Sequence, residues 1–294
     1  MRLGIVAVIV AALVISNRAL AWHDIGHQAV ARIAWEQFDD GQKKQAYLIL
    51  QNLPYKEAFF QDRPADVDEP MWMFCKAATW CDWIRFPTGP NLSAQDKAKI
   101  RRELNKPVWH YVNLPFVHPD DVNRLDADAD AIRKEILEPE FDANGEPRHV
   151  LAALKFSQKK LQARDTSPAD RAVYLCWMLH LVGDLHQPLH GTSLIASKET
   201  LGSQQFDPPH GDKGGNRCVV RVQASDLAAV ELHAFWDSLQ FRDHPKFAEM
   251  EARVLSWLKE RSFQREQFPE LRETEYLTWA EESLALAKSN VYRN

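Results

Sequence analysis

Apolar positions recur at helical spacing through most of this chain. In YLCWMLHLVGDLHQPLH, residues 174–190, Leu175, Met178, Leu179 and Val182 mark one face while Cys176, Trp177 and Leu181 fill others. A segment apolar nearly all round reads as a buried helix, introduced by Ser167-Pro168 and ended by Pro188. Val30, Ile33, Ala34 and Phe38 predict an amphipathic helix near the start, and residues 41–53 a second one stopped by Pro54. Further helices are expected over 131–137, 147–163 and 224–239, and through most of 245–290. His149, near the start of the 147–163 helix, receives no role. Phe59 to Pro90 reads as irregular, PVWHYVNLP (107–115) as an extended segment or short strand carrying His110, and Arg217 to Val222 as a short strand. The acidic run 118–130 lacks the Gly that a calcium loop requires and reads as a solvated helix-capping loop. Residues 191–217 form a long loop rich in Gly, Ser, Pro, Asp and His, a length that usually means function or disorder. With few strands, no repeats and no interdomain linker, the pattern is mostly α, a single-domain multi-helix fold over residues 22–294.

Residues 1–21 are set apart as a cleaved signal peptide. Arg2 gives a positive start, Ile5 to Ile15 an apolar run too short to span a bilayer, and Ala19-Leu20-Ala21 a small-x-small cleavage signal. The expectation is an exported, periplasmic or secreted protein beginning at Trp22, monomeric and without stable membrane association. Cleavage removes two arginines and no acids, shifting the net charge from −5 to −7. Such a chain lacks the general basic surface of sequence-independent nucleic-acid binders, so an anionic substrate would need local cations. Cys75, Cys81, Cys176 and Cys218 in an exported chain suggest disulfides, with Cys75–Cys81 and Cys176–Cys218 favoured among three pairings. A thiolate zinc site is disfavoured because no C-x2-C spacing occurs.

The chemistry begins inside the apolar helix. His180 and Asp184 stand one turn apart on the same side, and His190 follows. A lone buried His is usually a satisfied core residue, but buried His and carboxylate together are costly unless paired or metal-bound. A second His-x3-Asp occurs at His233 and Asp237. With His27, Asp82 and His110 there are eight side-chain candidates, more than one zinc can use. Asp82 alone would read as a cap or ion-pair partner. After cleavage, the amine and carbonyl of Trp22 could chelate a metal five residues before His27.

These segments resemble the S1/P1 nuclease family of zinc enzymes that cut single-stranded DNA and RNA to 5′-nucleotides. The shared features run along the whole mature chain: Trp22-x4-His27, Trp80-x-Asp82, the His110 segment, HLVGDLHQPLH at 180–190, GGN at 214–216 and His233-x3-Asp237. The resemblance implies a mostly helical fold and three zinc ions. The first would be held by Asp82, His110, His180 and Asp184. The second would take Trp22, His27 and a bridging Asp184, and the third His190, His233 and Asp237. Asp82 and Asp184 are the candidate catalytic residues. Six positive charges against three ligand carboxylates suit a phosphodiester, and a water bridging two zincs should titrate at roughly pH 7, making hydroxide available. No side-chain nucleophile is then required.

Two departures stand out. His23 replaces the usual Gly beside Trp22, and Asn113 replaces an Asp that holds a base, which leaves base preference open. Tyr111, Phe116 and Phe206 are candidates for base stacking against a core role for each. Asn113, Asn216, Tyr111 and Lys213 form the candidate substrate-binding set, with Arg217 a weaker candidate, while His186 faces away from His180. Rival readings are a zinc-dependent phospholipase C, disfavoured by the short Trp-to-His spacing and by Asp237 where Glu is usual, and a non-catalytic zinc-binding protein. Release of phosphate from 3′-nucleotides is a further expected activity.

Overall fold

In the computed structural model, described over residues 24–222 and 228–292, the helix Pro168–Leu185 runs through the main hydrophobic core. Ser167 caps it, its Oγ accepting from the Asp170 amide at 3.1 Å, and Pro168 occupies the first turn. Cys176, Trp177, Leu181 and Leu185 are buried on it. Around it pack Asp24–Gln37, Asp40–Leu50, Glu69–Ala77 and Val150–Gln162, with Tyr276–Leu286 across its end. The mostly helical class expected from the hydrophobic pattern is what the chain adopts. Strands are confined to two short pairs among the described residues. Leu114–Val117 lies parallel to Thr192–Ile195 with Leu114 opposite Thr192, and Val219–Val220 lies antiparallel to Val230–Glu231.

Several local readings are corrected. The stretch read as irregular contains the helix Glu69–Ala77, capped by Asp68, whose carboxylate accepts from the Met71 amide at 3.0 Å. Met71 through Cys75 and Ala77 are all buried, and the polar residues Glu69 and Lys76 stand only at its two ends, a signal easily lost in a helix of nine residues. The acidic run after Asp121 is helical: one helix spans Val122–Leu137, with Leu125 and Ala129 buried one turn apart and the acids outside. His110 ends a 3-10 turn, Pro107–His110, and the strand begins four residues later. The central helix stops at Leu185, and Pro188 opens a second short helix, Pro188–Gly191, instead of simply ending the first. The helix carrying His233 is Leu232–Ser238, Val230–Glu231 before it being a strand, while residues 224–227 of the expected helix lie outside the described residues. Residues 191–217 hold a strand, a one-turn helix Lys198–Leu201 and a 3-10 turn.

The favoured disulfides are absent: all four cysteines are free thiols. Cys75 closes the helix Glu69–Ala77 with its Sγ 3.9 Å from Met71 Sδ, whereas Cys81 on the next helix lies near Cys176 and Asp82. Cys218 sits 3.7 Å from Asp212. Burial pushes the thiols of Cys75, Cys81 and Cys176 well up, and that of Cys218 up to about 12. No described helix is long and apolar enough to cross a membrane. Residues 1–21, Trp22 and His23 lie outside the described residues.

Candidate metal centre

Six local elements deliver the eight candidate side chains, His180 with Asp184 and His233 with Asp237 each sharing one helix. His27 comes from the first helix and is completely buried against the central helix at Gly183. A Cβ at Gly183 would stand 2.8 Å from His27 Nδ1, so this glycine is what admits the imidazole. The His27 and His180 rings stack at 3.9 Å. The short helix Trp80–Trp83 presents Asp82, and the Pro107–His110 turn presents His110.

Backbone carbonyls set the histidine tautomers. Nδ1 of His180 donates to Ala78 O at 2.7 Å, Nδ1 of His190 to His110 O at 2.7 Å, and Nδ1 of His233 to Gly214 O at 2.6 Å. A carbonyl only accepts, so in the neutral form of each ring the lone pair sits on Nε2, the atom left to face a metal; that of His180 lies 3.1 Å from His110 Nδ1. Asp184, fully buried, lies between two sets of imidazoles: Oδ1 is 3.4 Å from His27 Nε2, and Oδ2 is 2.9 Å from His110 Nδ1 and 3.2 Å from His180 Nε2.

Donor atoms therefore converge in three groups, each within 4.8 Å: His27, His180 and Asp184; Asp82, His110 and His180; His190, His233 and Asp237. Both nitrogens of His27, Nε2 of His110 and His190, and one oxygen each of Asp82, Asp184 and Asp237 are buried without a hydrogen-bond partner. Orphaned polar atoms of this kind are rare in a folded interior. Nitrogen and carboxylate donors in sets of three fit zinc.

The electrostatics follow from the crowding. Burial opposes charge on Asp184, yet His180, His190 and the bond from His110 hold its carboxyl well below the usual carboxylate range. Burial likewise opposes charge on His180 and His190, but Asp184, with Asp82 or Asp237 beside it, raises both to about 9. Burial dominates at His27, His110 and His233 and lowers them.

Two residues beside the ligands were not anticipated from the sequence. Gln187 is fully buried and donates from Nε2 to Asp237 Oδ1 at 2.6 Å, orienting that carboxylate from fifty residues away. Arg85, in the turn after the helix Trp80–Trp83, donates to Asp82 Oδ1 at 3.1 Å; its place three residues after Asp82 was the available clue.

Next to the third group opens a cavity of about 460 Å³ lined by Tyr111, Asn113, Arg148, Lys213, Asn216 and His233, among others. Tyr111, Lys213 and Asn216 are exposed there, and Asn113 and Lys213 both take left-handed backbone at φ 49° and 56°. Asn216 donates to Lys213 O at 2.7 Å, tying its amide to the turn. Arg148 was not anticipated, and His149, also on this wall, caps its helix by accepting from the Ala152 amide. Phe116 packs against Tyr292, Phe206 is buried, and Arg217 bonds to Gly211 O, so none of the three lines the cavity. His186 is exposed, its Nδ1 on Val182 O and its ring against Trp279.

Three buried His/Asp groups that could each hold a metal ion, one of them opening through His233 to a cavity, are set in a mostly helical chain. A profile of the family described as S1/P1 Nuclease matches residues 22–294, and the chain belongs to that family. Comparison with curated proteins gives no significant match. Membership marks the chain as a hydrolase of the nuclease kind, acting on nucleic acid.

Proposed function

We propose that this protein is a zinc-dependent endonuclease cutting single-stranded DNA and RNA to 5′-phosphorylated products and releasing phosphate from 3′-nucleotides. The observation that carries the reading is Asp184, wholly buried with one oxygen toward His27 and the other toward His110 and His180. A carboxylate so placed suits a bridge between two ions. Asp82, His110, His180 and Asp184 would hold the first, His27 and Asp184 with the Trp22 amine and carbonyl the second, and His190, His233 and Asp237 the third. Zinc bound there would supply Lewis acidity toward a phosphate oxygen and a water ionising at roughly pH 7.

The chain's own groups do the rest. Gln187 and the three carbonyls hold ligands in one orientation, so little reorganisation accompanies reaction. Arg85 keeps a fixed positive charge beside Asp82. Tyr111 offers an exposed ring for a base to stack on, and Asn113 can both donate to and accept from a base edge. Lys213 and Arg148 bring positive charge to the wall of an otherwise acidic protein. Export through residues 1–21 and a monomeric state complete the reading.

The test uses mature protein beginning at Trp22, incubated with single-stranded DNA, RNA, 3′-nucleotides and short-chain phosphatidylcholine. Cleavage to 5′-phosphorylated products, lost with chelator and regained with zinc, is the expected result. Phosphocholine release without nucleic-acid cleavage would move the protein to a phospholipase, and zinc binding without turnover to a metal-binding role. Asp184→Asn is expected to lose two ions and nearly all activity; full zinc content in that variant would sink the bridging assignment.

A further inference from the structure

The best-defined polar network outside the ligand groups runs from the far end of the described chain to His233. After the helix Tyr276–Leu286 the backbone widens into a π-helical turn, Ala287–Val291, closed by the Tyr292 amide on Ala287 O at 3.0 Å. Such turns interrupt regular helices and recur at functional positions. This one delivers the Tyr292 hydroxyl to Asp212, where it donates to Oδ2 at 2.6 Å. Phe116 packs on the tyrosine ring at 5.7 Å.

Asp212 is wholly buried and belongs to none of the ligand groups. Its Oδ1 accepts from the Leu194 amide at 2.8 Å, in the strand Thr192–Ile195, and its Oδ2 also accepts from the Gly215 amide at 3.0 Å. The carboxylate thus pins the turn 213–215 to the strand that follows His190. That turn takes three consecutive left-handed residues, Lys213 at φ 56°, Gly214 at 64° and Gly215 at 79°, a run that a chain does not hold without outside restraint. Its product is the direction of one carbonyl, Gly214 O, which receives His233 Nδ1 at 2.6 Å. The same turn presses on the residue before His190: a Cβ on Gly214 would lie 2.2 Å from Leu189 O.

We propose that Asp212 and Tyr292 are positioning residues for the His190, His233 and Asp237 group, with the Tyr292 hydroxyl locking the turn that orients His233 for its ion. The inference rests on the reading of those three residues as metal ligands. It makes Tyr292, through Asp212, a direct determinant of how tightly the ion at His190, His233 and Asp237 is held.

The experiment compares wild type, Tyr292→Phe, a truncation after Val291, Asp212→Asn and His233→Ala as zinc-loaded mature proteins. Each is titrated with a competing zinc chelator, with zinc content per chain, thermal midpoint, and KM and kcat on single-stranded DNA recorded. Tyr292→Phe removes one oxygen, and is expected to keep its midpoint in saturating zinc. Its weakest-held zinc should lose affinity about tenfold, the scale usual for groups that orient a ligand. Its kcat should fall at limiting zinc and recover when zinc is added. The truncation should match it, and Asp212→Asn should lose more. An unchanged chelator titration for Tyr292→Phe, or an equal weakening of every zinc together with a lower midpoint, would overturn the inference. His233→Ala separates the two levels: if it keeps the wild-type zinc content, the ligand assignment is what fails.

Discussion

Gly183 shows how a single missing side chain makes room for chemistry. It lies one residue before Asp184, on the face of the central helix that meets His27. Gly183→Ala would force the His27 ring away or distort the helix, since 2.8 Å is closer than a carbon can approach a ring nitrogen. We expect a stability loss of about 1–3 kcal/mol, typical of overpacking. We also expect one zinc fewer per chain, measured by urea unfolding and metal analysis of the same sample. A variant with normal zinc content would mean that His27 has another place to go. At this scale much of the candidate site was legible. His180 and Asp184, like His233 and Asp237, are spaced one turn apart, and spacing along a helix survives in the sequence. What was not legible acts through space: Gln187 reaches Asp237 across fifty positions, and no local pattern announces that bond. The roles of Ala78, His110 and Gly214 as acceptors are carried by the backbone, on which the identity of the side chain is silent.

Among the elements, the central helix was readable because it combines a cap, a first-turn proline and a long apolar run. Ser167→Ala removes the cap and is expected to lower stability by ~1 kcal/mol, seen as an earlier urea midpoint, with turnover per folded molecule unchanged. A fall in turnover under native conditions would show that the start of the helix is coupled to its distant His180 and Asp184. The Glu69–Ala77 helix escaped notice for the opposite reason, since its middle is an unbroken buried run and its polar residues, Glu69 and Lys76, stand only at its ends. The Val122–Leu137 helix was hidden by acids along its exposed side, which mimic a loop when counted by composition. His110 was expected in an extended segment or short strand because its neighbours are aromatic and β-branched, but Pro107 opens a 3-10 turn that carries it instead.

For the whole molecule, the interior holds charged and polar groups that no protein partner satisfies. Zinc would satisfy them, so folding and metal binding should be linked. Chelation is expected to lower the thermal midpoint by about 10 °C, the shift that roughly 4 kcal/mol of binding linkage gives in a chain of this size. Calorimetry with and without chelator, followed by zinc restoration, measures it; an unchanged midpoint would mean that the buried groups stabilise one another unaided. The thiols supply a second global check. With Cys75, Cys81 and Cys176 buried and their thiols pushed well up, native protein should resist alkylation at pH 8 and react at all four cysteines once unfolded without reductant. Fewer than four reacting would restore a disulfide.

The carbonyl of His110 receives the ring of His190, and the amide of Val112 donates back to His190 O at 2.9 Å. One group of donors is therefore hinged on the main chain of another, just ahead of the parallel pairing of Leu114 with Thr192. Filling the site that contains His110 would quiet the peptide against which His190 is set, so the next ion would meet a ligand already ordered. Such coupling is reciprocal, with each occupancy raising the affinity for the other by the same factor. Zinc uptake by the stripped protein would then follow a cooperative isotherm, and half-loaded molecules would be scarcer than independent sites allow.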